Sequence, residues 1–122
     1  MKIGCDIVQI SRIEKLKTKP RFYSYFFTEA EYAYLEQNHF SDQTIAGILA
    51  AKEACVKGFK VGFGKELNIR DIEVLHRGRV PYINVENPKL KAFMQSYGAK
   101  AIDLSISHDG DYAIAQALIE NI

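Results

Sequence analysis

Two acidic residues stand where acids are out of place. Asp6 lies within Ile3-Gly4-Cys5-Asp6-Ile7-Val8, a run otherwise apolar or glycine, and aspartate is disfavoured in strands. Glu53 lies within Ala50-Ala51-Lys52-Glu53-Ala54-Cys55-Val56-Lys57, among small apolar residues and two lysines. One or two carboxylates are the usual protein contribution to a Mg²⁺ site, with waters and substrate phosphates completing the octahedron. Taken with the neighbouring lysines, Asp6 and Glu53 point to metal-assisted chemistry on a phosphate. Each also has a plainer explanation. Asp6 serves equally well as an edge-strand charge or as a cap for the following turn. Glu53 and Lys57 serve as a surface pair at i,i+4, worth a few tenths of a kcal/mol. Spacing alone leaves both open.

His108 closes Ser105-Ile106-Ser107-His108, just before a glycine turn. Strand alternation sets Ser105 and Ser107 on one face with Asp103, and His108 on the other with Ile106. A serine–histidine nucleophile needs both groups on one side, so that chemistry does not fit. A lone histidine at a strand end otherwise reads as structural.

The elements that must position these residues are legible in part. Ile3, Cys5 and Ile7 alternate with Gly4, Asp6 and Val8, the two-residue period of a strand. Ser11 is placed to cap a short helix carrying Arg12, Ile13 and Leu16. Thr28-Glu29-Ala30-Glu31 is a capping box, which predicts a helix through Leu35. Ser41 or Asp42 starts a longer helix to about Phe59. On a wheel, Ile45, Ile48, Leu49, Val56 and Phe59 share one side, and small residues fill much of the rest. A helix apolar nearly all round is a buried helix, and its Lys52, Glu53 and Lys57 must then be paired or bound. Gly58, Gly62 and Gly64 mark a loop. Ile69–His76 and Val80–Val85 are expected as strands joined at Arg77-Gly78-Arg79. Asn87-Pro88 opens a helix to about Tyr97. Ala101–His108 and Tyr112–Ile119 are expected as two closing strands, turning at Asp109-Gly110. The fold class is α+β: one compact domain over residues 1–122, with a long buried helix packed on antiparallel strands.

Composition bounds the function. With 48% hydrophobic and 25% charged residues, the 122-residue chain is built to bury a core, which excludes disorder. The longest apolar stretch, Ile45–Ala51, falls far short of the ~20 residues that cross a bilayer. Asp6 interrupts the one place where a leader could build its apolar segment. Cys5 and Cys55 lack metal-like spacing and are expected as reduced core thiols in a cytoplasmic protein. The net charge of +1 conceals segregation. Residues 1–21 carry six basic and two acidic groups, and residues 22–51 carry four acids and no Lys or Arg. Residues 52–91 carry nine basic and five acidic groups. Basic regions of this kind suit anionic partners.

Taken in order, these segments resemble one family. Gly4-Cys5-Asp6-Ile7-Val8 with Ser11-Arg12-Ile13-Glu14, and Phe27-Thr28-Glu29-Ala30-Glu31, are similar to its first motifs. Ala50-Ala51-Lys52-Glu53-Ala54-Cys55-Val56-Lys57-Gly58-Phe59 is similar to its central signature, and Ser105–His108 followed by Tyr112–Ala115 to its closing hairpin. The family is the short stand-alone 4′-phosphopantetheinyl transferases, the holo-(acyl-carrier-protein) synthases. The resemblance implies transfer of phosphopantetheine from coenzyme A to a serine of apo acyl carrier protein, releasing adenosine 3′,5′-bisphosphate, in support of fatty acid biosynthesis. It implies Mg²⁺ on Asp6 and Glu53, with Lys57 joining them as a catalytic residue. It implies coenzyme A contacts from Lys57, Gly64 and His108, the histidine reaching a neighbouring subunit's nucleotide. It implies that Arg12, with Lys15, Lys17, Lys19 and Arg21, receives the carrier's acidic helix. It implies a homotrimer, with no nucleic-acid or membrane partner.

The sequence departs from the family at two points. Ile48 and Leu49 stand where an arginine and an aromatic residue usually precede Ala-Ala-Lys-Glu. The basic residues between the two central helices are missing, with His39 the nearest substitute. Candidates for the outer phosphate of coenzyme A are then His108, His39, Lys60 and Lys65. Histidine is only partly charged near pH 7, so weakened discrimination against dephospho-coenzyme A, narrowing above about pH 7.5, is expected. A non-enzymatic binder that kept the fold would carry similar motifs. The basic amino terminus with the aromatic run Phe22–Phe27 would suit single-stranded nucleic acid, but that run reads better as core and interface packing.

Overall fold

The computed structural model describes residues 1–122, and its elements follow in chain order. Strand β1 (Lys2–Gln9) leads through a 3-10 turn at Ile10–Arg12 into the short helices α1 (Ile13–Leu16) and α2 (Phe22–Phe26). Helices α3 (Glu29–Gln37) and α4 (Asp42–Phe59) come next, and then a 3-10 turn at Ile69–Asp71. The hairpin β2 (Val74–Arg77) and β3 (Val80–Ile83), helix α5 (Pro88–Tyr97), and strands β4 (Ala99–Asp109) and β5 (Tyr112–Asn121) complete the chain. β1, β5 and β4 form an antiparallel sheet in that order, and β2–β3 a separate ribbon. This is the expected α+β domain.

α4 is the spine. Twelve of its eighteen residues are buried, as a helix apolar nearly all round requires. It lies on the inner face of the sheet, over Ala113, Ala115, Ala117 and Ile119, all fully buried. The small residues set the approach. A Cβ on Gly4 would lie 1.9 Å from the Ala54 carbonyl oxygen and 2.4 Å from the Gly58 nitrogen, so only glycine permits this crossing. The close approach brings β1, and Asp6 with it, against the carboxyl-terminal half of α4.

Local signals account for most boundaries. The Thr28–Glu31 capping box forms in both directions, with Thr28 N–H donating to Glu31 Oε1 at 2.9 Å and Glu31 N–H to Thr28 Oγ1 at 3.3 Å. The Ser41 hydroxyl accepts from Thr44 N–H, and Asn87 caps α5 ahead of Pro88. Phe22 and Phe27 are buried among edge-on aromatic neighbours, so that run is core packing.

Four expectations change. Ser11 does not cap α1; its N–H and hydroxyl both donate to the Asp111 carboxylate, at 2.8 and 2.7 Å. Residues 69–71 form a turn, because Asp71 accepts from Asn68 N–H and closes it, and the strand begins only at Val74. The next strand stops at Ile83, short of Val85. Cys55 is buried but Cys5 is exposed, because Gly4, Asp6 and Val8 turn toward α4 and Ile3, Cys5 and Ile7 turn away. Only one of the two thiols belongs to the core.

Candidate active site

β1 and α4 bring the carboxylates together. Asp6 stands opposite Ala115 on the inward face of the sheet, where a small partner leaves room for the helix. One turn apart on α4, Glu53 and Lys57 meet it. Lys57 Nζ lies 2.8 Å from Asp6 Oδ1, with side-chain exposures of 54% for the lysine and 14% for the aspartate. This corrects the plainer reading of Lys57 as the helical partner of Glu53. Asp6 has the lysine, and Glu53 is left beside a second negative charge.

The electrostatics follow. Burial pushes the Glu53 carboxyl above its ordinary range, repulsion from Asp6 adds to that, and Lys57 opposes it. The hydrogen bond and charge of Asp6 hold the Lys57 ammonium above its usual value. Two carboxylates with incompletely compensated repulsion are an all-oxygen donor set, suited to a hard divalent cation. No third His, Cys, Asp or Glu joins them in a metal-binding group. A cation held here would draw its remaining ligands from water and substrate, the pattern of a Mg²⁺–phosphate site.

Glu53 is shared by two clefts. One, of ≈ 650 Å³, is lined by Glu53, Gly64, Tyr25, Phe26, Phe63 and Arg70. The other, of ≈ 270 Å³, joins Glu53 to Arg12, Leu49 and Ile69. Arg12 in turn lines a third, of ≈ 770 Å³, with Lys15, Lys19 and Ser11. Gly64 and Arg12 therefore each line a cleft that Glu53 also lines, and Lys15 and Lys19 line the next cleft beyond Arg12. Lys17 is withdrawn from this surface, paired with the Asp42 carboxylate at 2.7 Å and donating to the Phe40 carbonyl at 3.2 Å. Arg21 lies outside the basic cleft, at the N-cap of α2, with a left-handed φ of 66°.

His108 is elsewhere within the chain. It faces the amino-terminal half of α4, with Nε2 3.1 Å from the Gln43 carbonyl, and a Cβ on Gly47 would lie 2.9 Å from that nitrogen. Gly47 and Lys57 are ten residues apart, about 15 Å along the axis. His108 and Ile48 line a separate cleft of ≈ 270 Å³ with Tyr34, Thr44, His76 and Arg79. His76 stacks on Tyr34 at 3.6 Å, and burial lowers its pKa. The sequence reading missed Arg79, whose only signal was its place in a turn. His39, Lys60 and Lys65 are exposed and line none of these clefts.

A second group missed from the sequence lies behind Glu53. Lys52 Nζ and Glu31 Oε1 are 2.8 Å apart, both side chains at 0% exposure. Glu31 gave a signal only as a capping residue, and Lys52 only as a charge on a buried face.

Comparisons with known proteins show the family and the fold. Residues 2–117 match the model of the 4′-phosphopantetheinyl transferase superfamily. A holo-[acyl-carrier-protein] synthase of Finegoldia magna is 39% identical over 123 residues, covering 98% of this chain and 97% of the relative. The crystal structure of Helicobacter pylori holo-[acyl-carrier-protein] synthase in complex with coenzyme A superposes with a TM-score of 0.82 at 36% identity, covering 97% of this chain and 99% of that one. The Neisseria meningitidis synthase gives 0.88 at 28% identity, with 98% of each chain covered. With the fold matched end to end, and the two carboxylates and their lysine gathered at the crossing of β1 and α4, the chain belongs to the 4′-phosphopantetheinyl transferase superfamily.

Proposed function

We propose that this protein is a holo-(acyl-carrier-protein) synthase, moving 4′-phosphopantetheine from coenzyme A to a serine of apo acyl carrier protein for fatty acid biosynthesis. The observation that carries this is the position of Glu53, beside the Asp6–Lys57 pair, in two clefts at once, one continuing through Arg12 into a basic surface. The larger cleft, with Gly64 and aromatic walls, takes the coenzyme A side; Arg12, Lys15 and Lys19 receive the acidic carrier, with Arg21 at their margin.

Asp6 and Glu53 would hold Mg²⁺, which when bound supplies positive charge to the pyrophosphate. The serine oxygen of the carrier forms a bond to the nearer phosphorus, and the bond from that phosphorus to the bridging oxygen breaks. The serine proton passes to a water polarised by Glu53 and from there to solvent, and adenosine 3′,5′-bisphosphate departs with the bridging oxygen. Lys57, half exposed and within reach of any group at Asp6, places its ammonium where negative charge accumulates on the departing phosphate.

The reading includes a homotrimer. The sheet face turned away from α4 carries Ile3, Ile7 and Ile114, which are 59%, 60% and 36% exposed. An apolar face of this kind is suited to burial against other copies. His108, about 15 Å along α4 from Lys57, is then available to a neighbour's nucleotide. No helix is long and apolar enough to cross a membrane, and both cysteines are free, in keeping with a cytoplasmic enzyme.

The deciding experiment is mass spectrometry of apo carrier protein incubated with the protein, coenzyme A and Mg²⁺. Gain of one phosphopantetheine by the carrier is expected. No gain, with the fold intact, overturns the reading.

A further inference from the structure

We propose that the buried Glu31–Lys52 ion pair is a positioning device for the coenzyme A cleft, fixing the Ile69–Asp71 turn as a wall against Glu53. The inference rests on the reading of the Glu53 cleft as the coenzyme A site.

Every polar atom of this pair is directed. Glu31 Oε1 accepts from Lys52 at 2.8 Å and from Thr28 N–H at 2.9 Å, and Glu31 Oε2 accepts from Val74 N–H at 2.8 Å. Lys52 gives a further hydrogen bond to the Ile69 carbonyl, at 3.1 Å, and its ammonium lies 5.6 Å from the Phe27 ring centre. The bond to Ile69 is the hydrogen bond that ties the turn to α4, beside the core packing of Leu67 and Ile72. The remaining hydrogen bonds of residues 62–72 are internal: Gly64 N–H to the Leu67 carbonyl, Asp71 N–H to the Asn68 carbonyl, and Asn68 N–H to the Asp71 carboxylate.

That turn forms part of the site. Ile69 lines both clefts that contain Glu53, and Asn68, Arg70 and Asp71 line the larger. Lys52 immediately precedes Glu53, so a single turn of α4 presents the carboxylate on one side and holds the facing wall on the other.

Energetics separates holding from mere packing. Removing a lysine and a glutamate from water is costly, and well-packed apolar residues of similar volume often stabilise as well or better. Such residues would still pack α3 on α4, but would leave the Thr28 and Val74 N–H groups without their acceptor. They would also leave the Ile69 carbonyl without its donor, and the wall with only the packing of Leu67 and Ile72 to hold it.

The test uses the full-length double variant Glu31→Leu/Lys52→Met, which removes both charges at similar volume. The expected result is a folded protein with a lowered unfolding temperature, because the Thr28 and Val74 N–H groups lose their acceptor, and with amide hydrogen exchange accelerated at Ile69–Ile72. In the transfer assay, KM for coenzyme A is expected to rise about tenfold while kcat and the KM for carrier change far less. Unchanged exchange and unchanged KM in a folded double variant would show that the pair only packs. If the wild-type protein transfers no phosphopantetheine, the functional reading fails on its own, and exchange decides the positioning claim: faster exchange supports it and unchanged exchange overturns it. If the double variant does not fold, Lys52→Met, which removes the donor to the Ile69 carbonyl and leaves Glu31 its two backbone N–H donors, is measured in the same way.

Discussion

Lys57 places its Nζ 2.8 Å from Asp6 on the neighbouring strand, although Glu53 lies one turn away on its own helix. The interaction crosses 51 residues of sequence and leaves Glu53 as the more weakly compensated carboxylate. A charge arrangement that gains little stability by its own geometry is what a site reserved for a cation and a polyanion requires.

The carboxylates should therefore divide activity from stability. Asp6→Ala and Glu53→Ala are each expected to lower transfer by a hundredfold or more, since loss of a charged ligand removes several kcal/mol of charge stabilisation. Glu53→Gln should instead raise Tm at pH 7 in metal-free buffer. The sign follows from the raised folded-state pKa. A carboxyl shifted upward costs stability above its folded pKa, and that cost vanishes below the unfolded value, ordinarily 4.5. The gain in Tm should therefore shrink as the pH is lowered through the range where Glu53 itself takes up a proton. Thermal unfolding from pH 4 to pH 8 measures it, and a Tm below wild type at pH 7 would refute it.

Carrier recognition should be separable from donor binding. Arg12 lines the basic cleft, and its turn is held by the two hydrogen bonds from Ser11 to Asp111. Arg12→Glu is expected to raise the KM for carrier at least tenfold and to steepen with falling salt, with the KM for coenzyme A nearly unchanged. Asp111→Ala should do the same more weakly, by releasing the turn. The Ser11 hydrogen bonds hold Asp111 below its ordinary 3.8, so its contribution to stability is complete above that value and is lost as pH falls through the folded pKa. Equal losses for carrier and coenzyme A would refute the division.

How much of this was legible depends on sequence distance. Thr28 and Glu31, Ser41, and Asn87-Pro88 place three helices because their hydrogen bonds close within one turn. Asp6 and Glu53 were each conspicuous, but their meeting depends on Gly4 admitting the Ala54 carbonyl, a contact that no periodicity reports. Ser11 fitted the pattern of a cap and found a stronger partner one hundred residues away. Asp71 turned an apolar stretch with strand periodicity into a 3-10 turn, because its carboxylate outcompeted the ladder for the Asn68 N–H. Glu31 and Lys52 lie 21 residues apart on different helices, and only packing pairs them.

Subunit complementation should test whether the proposed trimer shares its sites between neighbours. The His108 cleft and the Glu53 clefts lie on different parts of one chain. His108→Ala and Glu53→Ala, each inactive alone, are expected to regain activity once their subunits exchange. In a 1:1 mixture of trimers with sites between neighbours, roughly a quarter of sites combine both unmutated surfaces. Ile7→Lys, on the exposed sheet face, should dissociate the trimer and abolish recovery. Exchange demonstrated by mass spectrometry without recovered activity would place each site within one subunit.

The outer phosphate of coenzyme A gives the last prediction. The resemblance to the family implies an arginine where Ile48 stands, which led to the expectation of weak discrimination against dephospho-coenzyme A, with His108, His39, Lys60 and Lys65 as the remaining candidates. The structure sets Arg79 in the same cleft as Ile48 and His108. A guanidinium stays charged wherever the protein is folded, and charge-assisted contacts are worth about 1.5–3 kcal/mol, or roughly tenfold to a hundredfold. With Arg79 engaged, the ratio of kcat/KM for coenzyme A over dephospho-coenzyme A should stay high and vary little between pH 6.5 and 8.5. Arg79→Ala should lower it by at least about tenfold, because the guanidinium contact is then lost. Arg79→Ala with Ile48→Arg should restore the ratio. A ratio that is low and pH-dependent in the wild type, or unmoved by Arg79→Ala, would return the contact to the remaining candidates.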